Sequence, residues 1–383
     1  EPSLIVNDGI DYGCRPDIEA AYGDKLRPMD AFKDSAPAEL VDCVGHDDLI
    51  VLMFTSGTTG RSKAVMLSER NFFTTVECQV KFGDAMLDYK HEHMPEDKND
   101  VLSNFAILPL FHLGTFICLF VWACKGWALN LSADIRDFYR DLGLMHSDAI
   151  AVAPMLMEAI YKDVKRGRRA RLNGIWNPCG SSAMFDGTML AELAQQGMMI
   201  TQVYGMTETC GDGIINYEQD EKHIRAVGKP DDHAEYKLDE TGEICIRGGC
   251  VMLGYYKDPE ATAEVLDADG WFHTGDLARV DEDGFYYITG RKKNIIILDN
   301  GENVSPEELE NLLSKCEAVK ECIVREKGKK ICAVIYCGEA DQQTVRDFIT
   351  ETNRTLPLYK RMSAVEFSTE PLPRTGTGKL LRK

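Results

Sequence analysis

The stretch Phe54-Thr55-Ser56-Gly57-Thr58-Thr59-Gly60-Arg61-Ser62-Lys63-Ala64-Val65-Met66-Leu67 decides the reading of this chain. Upstream of it, the apolar run Leu49–Phe54 stops abruptly at a loop of Thr, Ser and Gly that Arg61 and Lys63 close. Glycine lets backbone N–H groups approach and surround an anion. The hydroxyls of Thr55, Ser56, Thr58 and Thr59 add neutral donors, and Lys63 adds a mobile positive charge. Together these residues suit a polyphosphate.

The common phosphate-binding loop requires G-x-x-x-x-G-K followed by Ser or Thr. Here Gly60 precedes Arg61, and Gly57 stands only three residues before Gly60. A second string, Gly376-Thr377-Gly378-Lys379, puts Leu380 where a magnesium-binding hydroxyl belongs. A kinase or ATPase of the P-loop type is therefore disfavoured.

Thr55–Lys63 resembles the signature of the adenylate-forming superfamily, which comprises acyl-CoA synthetases, luciferases and the adenylation domains of peptide synthetases. Six further strings similar to that superfamily's follow in order. They are Pro109-Leu110-Phe111-His112, Tyr204-Gly205-Met206-Thr207-Glu208, Gly254-Tyr255-Tyr256, Trp271-Phe272-His273-Thr274-Gly275-Asp276, Gly290-Arg291-Lys292-Lys293 and Pro373-Arg374-Thr375-Gly376-Thr377-Gly378-Lys379.

The resemblance implies a two-step reaction using ATP, Mg2+ and coenzyme A. A carboxylate attacks the α-phosphate, pyrophosphate leaves, and an acyl-adenylate forms. A thiol then attacks the acyl carbon and releases AMP. The carboxylate is already a nucleophile, so the protein must chiefly align reactants and stabilise charge.

Carried over by motif, Thr55, Ser56, Gly57, Thr58, Thr59, Gly60 and Lys63 would hold phosphates. Thr207 would donate to the α-phosphate, and Glu208 would bind magnesium, a hard cation suited to a carboxylate. Gly180, Ser181 and Ser182 would lie along the adenine, and Tyr204 and Gly205 would bind the nucleotide. Asp276 and Arg291 would reach the ribose. Lys379 would bridge carboxylate and α-phosphate during adenylation. Lys293 falls at the family's hinge, and His112 and Gly301 fall near its acyl and thiol tunnel.

Peptide-synthetase adenylation domains usually carry Pro at the place of Met206 and Asp at that of Lys293, so a free-standing acyl-CoA synthetase fits better. The segment Asn300-Gly301-Glu302-Asn303-Val304-Ser305-Pro306 is similar to the long- or medium-chain fatty acid type. A fatty acid is the first expectation for the substrate and an aryl acid the second. The family usually has a substantial segment before the phosphate loop, most of which is missing here. A truncated, non-catalytic homologue that binds nucleotide is thus a separate expectation.

The 383 residues exceed one ordinary domain, and 44% hydrophobic content supports a sizeable core. The net charge of −19 is unevenly spread. Residues 294–383 hold 14 basic and 14 acidic side chains, so the whole deficit lies in residues 1–293. An acidic body argues against nucleic acid as partner. The 13 cysteines show no C-x-x-C, and no Cys/His cluster has zinc-ligand spacing, which points to buried free thiols in a reducing compartment, the cytoplasm. Residues 105–124 are long enough to span a membrane, but Pro109, His112 and Gly114 interrupt them. They read as a strand, a turn and a buried helix, which leaves room for peripheral membrane contact. His91 and His93 flank Glu92 in what reads as a solvated loop.

Extended and helical signals alternate from Leu49–Thr55, read as a buried strand, through a helix at 69–85 capped by Ser68, to strands near 101–107, 149–153, 175–179 and 199–204. Helices are expected from Pro154 and near 188–196. Asp281-Glu282-Asp283-Gly284 between two apolar runs signals a hairpin. Ser305-Pro306-Glu307-Glu308 opens a helix, strands at 319–325 and 330–336 can pair, and 342–352 is helical. The expected architecture is α/β. It has a large body of α/β sheets plus a small β subdomain over 1–290, a hinge at 291–293, and a small mobile α+β domain over 294–383.

Overall fold

The computed structural model describes residues 5–7, 26–28, 45–55, 62–132, 134–181, 185, 187–211, 213–298, 302–328, 330–374 and 380–381. The expected site residues Ser56–Gly60, Ser182, Gly301 and Lys379 lie outside the described residues. Contacts divide the chain into Glu1–Gly45 and His46–Lys383. In the first unit, the strands Ile5–Asn7 and Leu26–Pro28 pair in parallel.

In the second unit, a six-stranded sheet runs in the order Gly213–Asn216, Thr201–Gly205, Asn177–Ser181, Ala149–Val152, Ser103–Ala106, Ala128–Leu131. All neighbours are parallel except the first pair. The parallel strands are short, are joined by helices and bury most of their residues, among them Phe105, Ile150, Val152 and Thr201, as in a sheet covered on both faces. Strand order reverses between Ser103–Ala106 and Ala149–Val152, and crevices at such switch points lie beyond the carboxyl ends of the strands. Asp148 helps fix the register. Its Oδ2 accepts from the Ser103 amide and hydroxyl, both at 2.8 Å, and its Oδ1 accepts from Trp176 Nε1 at 3.0 Å.

A second sheet is antiparallel, in the order Ala234–Leu238, Glu243–Gly248, Phe272–Val280, Tyr286–Arg291. Its last hairpin turns at Asp281–Gly284, where Gly284 has φ +85° and Asp281 Oδ1 accepts from the amides of Asp283 and Phe285. A third sheet joins Gly254–Tyr255, Lys63–Ser68 and Leu49–Thr55.

The strand Leu49–Thr55 corrects an expectation, because it is not buried. It lies at the edge of its sheet and packs only Val51 and Met53 toward the core. With the period of two, Leu52 and Phe54 face outward, and Phe54 is 68% exposed. The following helix is longer than its apolar stripe indicated, running Glu69–His93. Its start is a capping box: Ser68 Oγ accepts from the Asn71 amide at 3.3 Å and Asn71 Oδ1 accepts from the Ser68 amide at 2.8 Å. His91 and His93 therefore sit in its exposed last turn instead of a loop. Among the described residues no helix is long and apolar enough to cross a membrane.

The C-terminal part has its own core, built from Ile296, Val304, Leu309, Leu313, Val324, Ile335, Val345 and neighbours. Helix Pro306–Leu313 starts as its sequence dictates, with Ser305 Oγ accepting from the Glu308 amide at 3.4 Å. The hairpin Glu321–Lys327/Lys330–Tyr336 gains a parallel third strand, Ala364–Ser368, and helix Gln342–Thr355 packs into the same core. The chain is thus an α/β protein with a large N-terminal and a small C-terminal domain.

His223 fastens the segment before Val227 to the 281–284 turn. Its Nδ1 lies 2.9 Å from Asp220 Oδ2, its Nε2 lies 3.1 Å from Asp283 Oδ2, and its ring stacks on Phe285 at 4.0 Å. The Asp220 hydrogen bond raises its pKa above the ordinary 6.5. A raised folded-state value gives stability that is complete below 6.5 and is lost as pH rises through the folded value. His223→Asn should therefore lower the unfolding midpoint more at acidic than at alkaline pH, and equal loss across that range in denaturant titrations would refute the linkage.

Candidate active site

Thr201–Gly205 ends at the carboxyl edge of the six-stranded sheet and runs into a single 3-10 turn, Thr207–Thr209. The turn closes on itself, with Thr209 Oγ1 near both the amide and the carbonyl of Met206. Thr207 and Glu208 thus stand at the edge where the switch point lies. Beside them, Gly180 and Ser181 end the neighbouring strand Asn177–Ser181. A Cβ on Gly180 would sit 2.4 Å from Cε2 of Phe185, so a side chain there would displace that ring.

Tyr204 reaches out of this sheet to the antiparallel one. Its hydroxyl donates to Asp276 Oδ2 at 3.2 Å. Asp276 is 5% exposed, and its Oδ1 lies 2.7 Å from Arg291 Nε on the directly paired residue of the next strand. Burial pushes the Asp276 carboxyl above its usual value, with Arg291 and Tyr204 opposing. Burial, reinforced by the Asp276 charge, holds the Tyr204 phenol well above its ordinary range. Each carboxylate oxygen has two lone pairs, so both can still accept from a ligand.

The backbone around Asp276 is shaped by Thr274-Gly275. Gly275 has φ +73°, its amide donates to Glu243 Oε1 at 2.7 Å, and Thr274 Oγ1 accepts from the Asp276 amide at 3.1 Å. Glu243, 3% exposed, takes Lys292 Nζ at 2.7 Å on its other oxygen, and that hydrogen bond raises the Lys292 pKa. Thr274, Gly275, Arg291, Lys292 and Lys293 line a cleft of about 340 Å³. Lys293 lies in the turn Lys292–Asn294, just after the strand that Arg291 ends.

A second group forms where the Thr207–Thr209 turn meets the third sheet. The Met252 amide donates to Glu208 O at 2.9 Å, and Tyr255 OH donates to Glu208 Oε1 at 2.9 Å. Lys63 Nζ lies 4.4 Å from the centre of the Tyr255 ring, and Lys63 pairs with Thr55 across the start of the phosphate-loop candidate. Burial and the Glu208 charge push the Tyr255 phenol up, so it stays a hydrogen-bond donor. An ammonium and a carboxylate therefore share one aromatic ring. Glu208 offers a hard oxygen donor there, and a site of one carboxylate completed by substrate phosphates suits magnesium.

His112 precedes helix Leu113–Lys125 and is exposed; a Cβ on Gly211 would touch Leu113 Cγ at 3.5 Å, which brings the His112 segment close to the 207–211 turn. The structure thus joins Tyr204, Asp276, Arg291 and the Lys293 turn in one group, and Lys63 and Glu208 in another. Tyr255, Glu243 and Lys292 were not assigned roles from sequence. Tyr255 stood inside a recognised string, whereas Glu243 looked like an ordinary strand opening.

The AMP-binding enzyme family matches residues 13–256, and the AMP-binding enzyme C-terminal domain matches residues 308–379. Among curated proteins, the chain is 30% identical to 4-coumarate--CoA ligase 3 of Oryza sativa subsp. japonica over 92% of its length, spanning 66% of that protein. It is 30% identical to Long-chain-fatty-acid--CoA ligase of Salmonella typhimurium over 88% of its length, spanning 61% of that protein. In fold it resembles ATP-bound MatB from Rhodopseudomonas palustris, with TM-score 0.79 and 24% identity over 99% of this chain and 77% of that one.

Removing the Arg291 cation strands a buried carboxylate. Arg291→Met should cost roughly 1–3 kcal/mol, below the ~3–5 kcal/mol of a fully buried pair, because its side chain is 44% exposed. Adding Asp276→Asn to that variant should recover part of the loss in urea unfolding. No recovery would mean that the pairing is not what Arg291 contributes. With two matching domains, and with Tyr204, Thr207, Glu208 and Asp276 gathered beyond the strand ends, the chain belongs to the AMP-binding, adenylate-forming enzyme family.

Proposed function

We propose that the protein activates a carboxylic acid with ATP, forming an acyl-adenylate and pyrophosphate, and then transfers the acyl group to the thiol of coenzyme A with release of AMP. The observation that carries this reading is the buried Asp276 carboxylate, held between Tyr204 and Arg291 beside the Thr207-Glu208 turn. A buried carboxylate with spare lone pairs is a hydroxyl acceptor, as ribose recognition requires. The same turn supplies Glu208 for a magnesium ion, which when bound would neutralise phosphate charge. Thr55 ends and Lys63 begins the strands that flank the phosphate loop, and Gly180, Ser181 and Gly205, at the ends of adjacent parallel strands, would line the adenine side.

Lys379 would bridge the attacking carboxylate and the α-phosphate. Residues 1–290 would form the nucleotide-binding body and 294–383 the small domain, with rotation about 291–293 between half-reactions. The cleft walled by Arg291, Lys292 and Lys293 is consistent with a pivot there. His112 and Gly301 would border the acyl and thiol tunnel.

For the acid, a fatty acid is the first reading, from Asn300–Pro306. A hydroxycinnamic acid is the second, favoured by the likeness to a 4-coumarate--CoA ligase. Incubating the protein with ATP, magnesium and each acid class, with and without coenzyme A, should yield AMP and never ADP. ADP with every acid would overturn the reading, as would nucleotide binding without acid-dependent pyrophosphate exchange. Lys379→Ala should lower adenylation by ~10²–10³ while thioester formation from preformed adenylate survives. Equal loss of both half-reactions would refute its role.

A further inference from the structure

Away from the nucleotide residues, helix Glu69–His93 meets the loop that leads into strand Ala234–Leu238. Three metal-type donors converge there: Cys78, Asp231 and His233. Their donor atoms all lie within 4.8 Å of one another. Cys78 is 5% exposed, and its Sγ stands 3.5 Å from Asp231 Oδ2. His233 Nδ1 is in contact with Asp231 Oδ1.

The hydrogen-bond wiring sets the tautomer of His233. Tyr236 OH donates to Gly213 O at 2.8 Å, so toward His233 Nε2, 3.2 Å away, it acts as an acceptor. Nε2 then carries the proton, and in the neutral ring Nδ1 presents its lone pair. That lone pair faces the Asp231 carboxylate, also an acceptor. The Nδ1 lone pair, the Asp231 carboxylate and Cys78 Sγ are three donors turned to one place, as a bound cation requires. An outer-shell hydrogen bond on the far ring nitrogen is also how metal-bound imidazoles are oriented.

The separation of the other pair fits a shared metal ion. Zinc bonds of ~2.3 Å to sulfur and ~2.0 Å to oxygen, at a tetrahedral angle, set sulfur and oxygen about 3.5 Å apart. Thiolate, imidazole and carboxylate together form a donor set of the kind zinc takes. The surroundings are acidic, with Asp232 adjoining and a net charge of −19 on the chain. One cation competes: Lys81 Nζ is 3.9 Å from Asp231 Oδ2, but it lies closer to Asp232, at 2.9 Å, and is 59% exposed.

We propose that Cys78 Sγ, Asp231 Oδ2 and His233 Nδ1 bind a divalent transition-metal ion, zinc by ligand chemistry, with water completing the coordination. The Cys78 thiol gives its proton to solvent as the metal–sulfur bond forms. The ion clamps the long helix to the antiparallel sheet. Sequence spacing could not announce the site, because Cys78 and Asp231 are 153 residues apart.

The test is a titration of metal-free full-length protein with Co2+, followed by displacement with Zn2+. One equivalent should bring in a thiolate-to-cobalt charge-transfer band that zinc abolishes, and the band should vanish in Cys78→Ser and shift in His233→Gln. Zinc should raise the thermal midpoint of the wild type but not that of Cys78→Ser. Should that variant fail to fold, X-ray absorption of zinc-loaded wild-type protein decides the matter, with one sulfur at ~2.3 Å and nitrogen or oxygen at ~2.0 Å expected. A zinc shell without sulfur, no cobalt–thiolate band, or a band unchanged in Cys78→Ser would overturn the proposal. Failure of the wild type to bind either metal equally overturns it. None of these readouts depends on the adenylation reading.

Discussion

The buried carboxylate of Asp276 is the constraint on which the rest of the site depends. An unpaired ion at that depth would be strongly disfavoured, and the group would neutralise instead. Burial does push its pKa up, and Arg291 and Tyr204, with the more distant Lys293 charge, oppose that shift. These partners come from different sheets. Arg291 lies directly across the antiparallel ladder, whereas Tyr204 ends a strand of the parallel sheet. Satisfying one carboxylate therefore fixes the two sheets against each other. It also sets the Thr207-Glu208 turn, three residues beyond Tyr204, at a defined place relative to Asp276.

Around that anchor the charges are arranged in pairs. Glu243 is buried and neutralised by Lys292 while its second oxygen holds the Gly275 amide. Glu208 is tied through Tyr255 to the neighbourhood of Lys63. Such fixed pairing of charges is the condition for electrostatic preorganisation. In a body carrying the chain's whole excess of negative charge, holding a nucleotide depends on such local cations rather than on a general field.

Much of the local structure was legible from sequence because it rests on nearest neighbours. Ser68, Pro154 and the Ser305-Pro306 pair announce helix starts through capping and a fixed φ, and all three helices begin there. The Asp281–Gly284 turn was legible for the same reason. Burial was not. Leu49–Thr55 reads as a run hidden on both faces, but as an edge strand it packs only alternate residues. Strand Lys63–Ser68 was not legible as a strand; it is central in its sheet, paired with Leu49–Thr55 on one side and with Gly254–Tyr255, nearly two hundred residues later in the chain, on the other. Helix Glu69–His93 runs past the stripe Phe72, Val76 and Val80 because Met86, Leu87 and Tyr89 continue to pack on the core and buried Lys90 pairs with Asp97 at 3.0 Å.

By itself the amino-acid sequence determined the α/β alternation, the family and the order of its signature strings. Those depend on residue types at fixed short spacings. Only the tertiary structure decided that Tyr204 reaches Asp276, that Tyr255 links Lys63 to Glu208, and that Cys78 meets Asp231 and His233. Each of these contacts joins residues dozens to hundreds of positions apart. No local preference encodes such a pairing, because it exists only after the sheets have packed and excluded solvent from the groups they bring together.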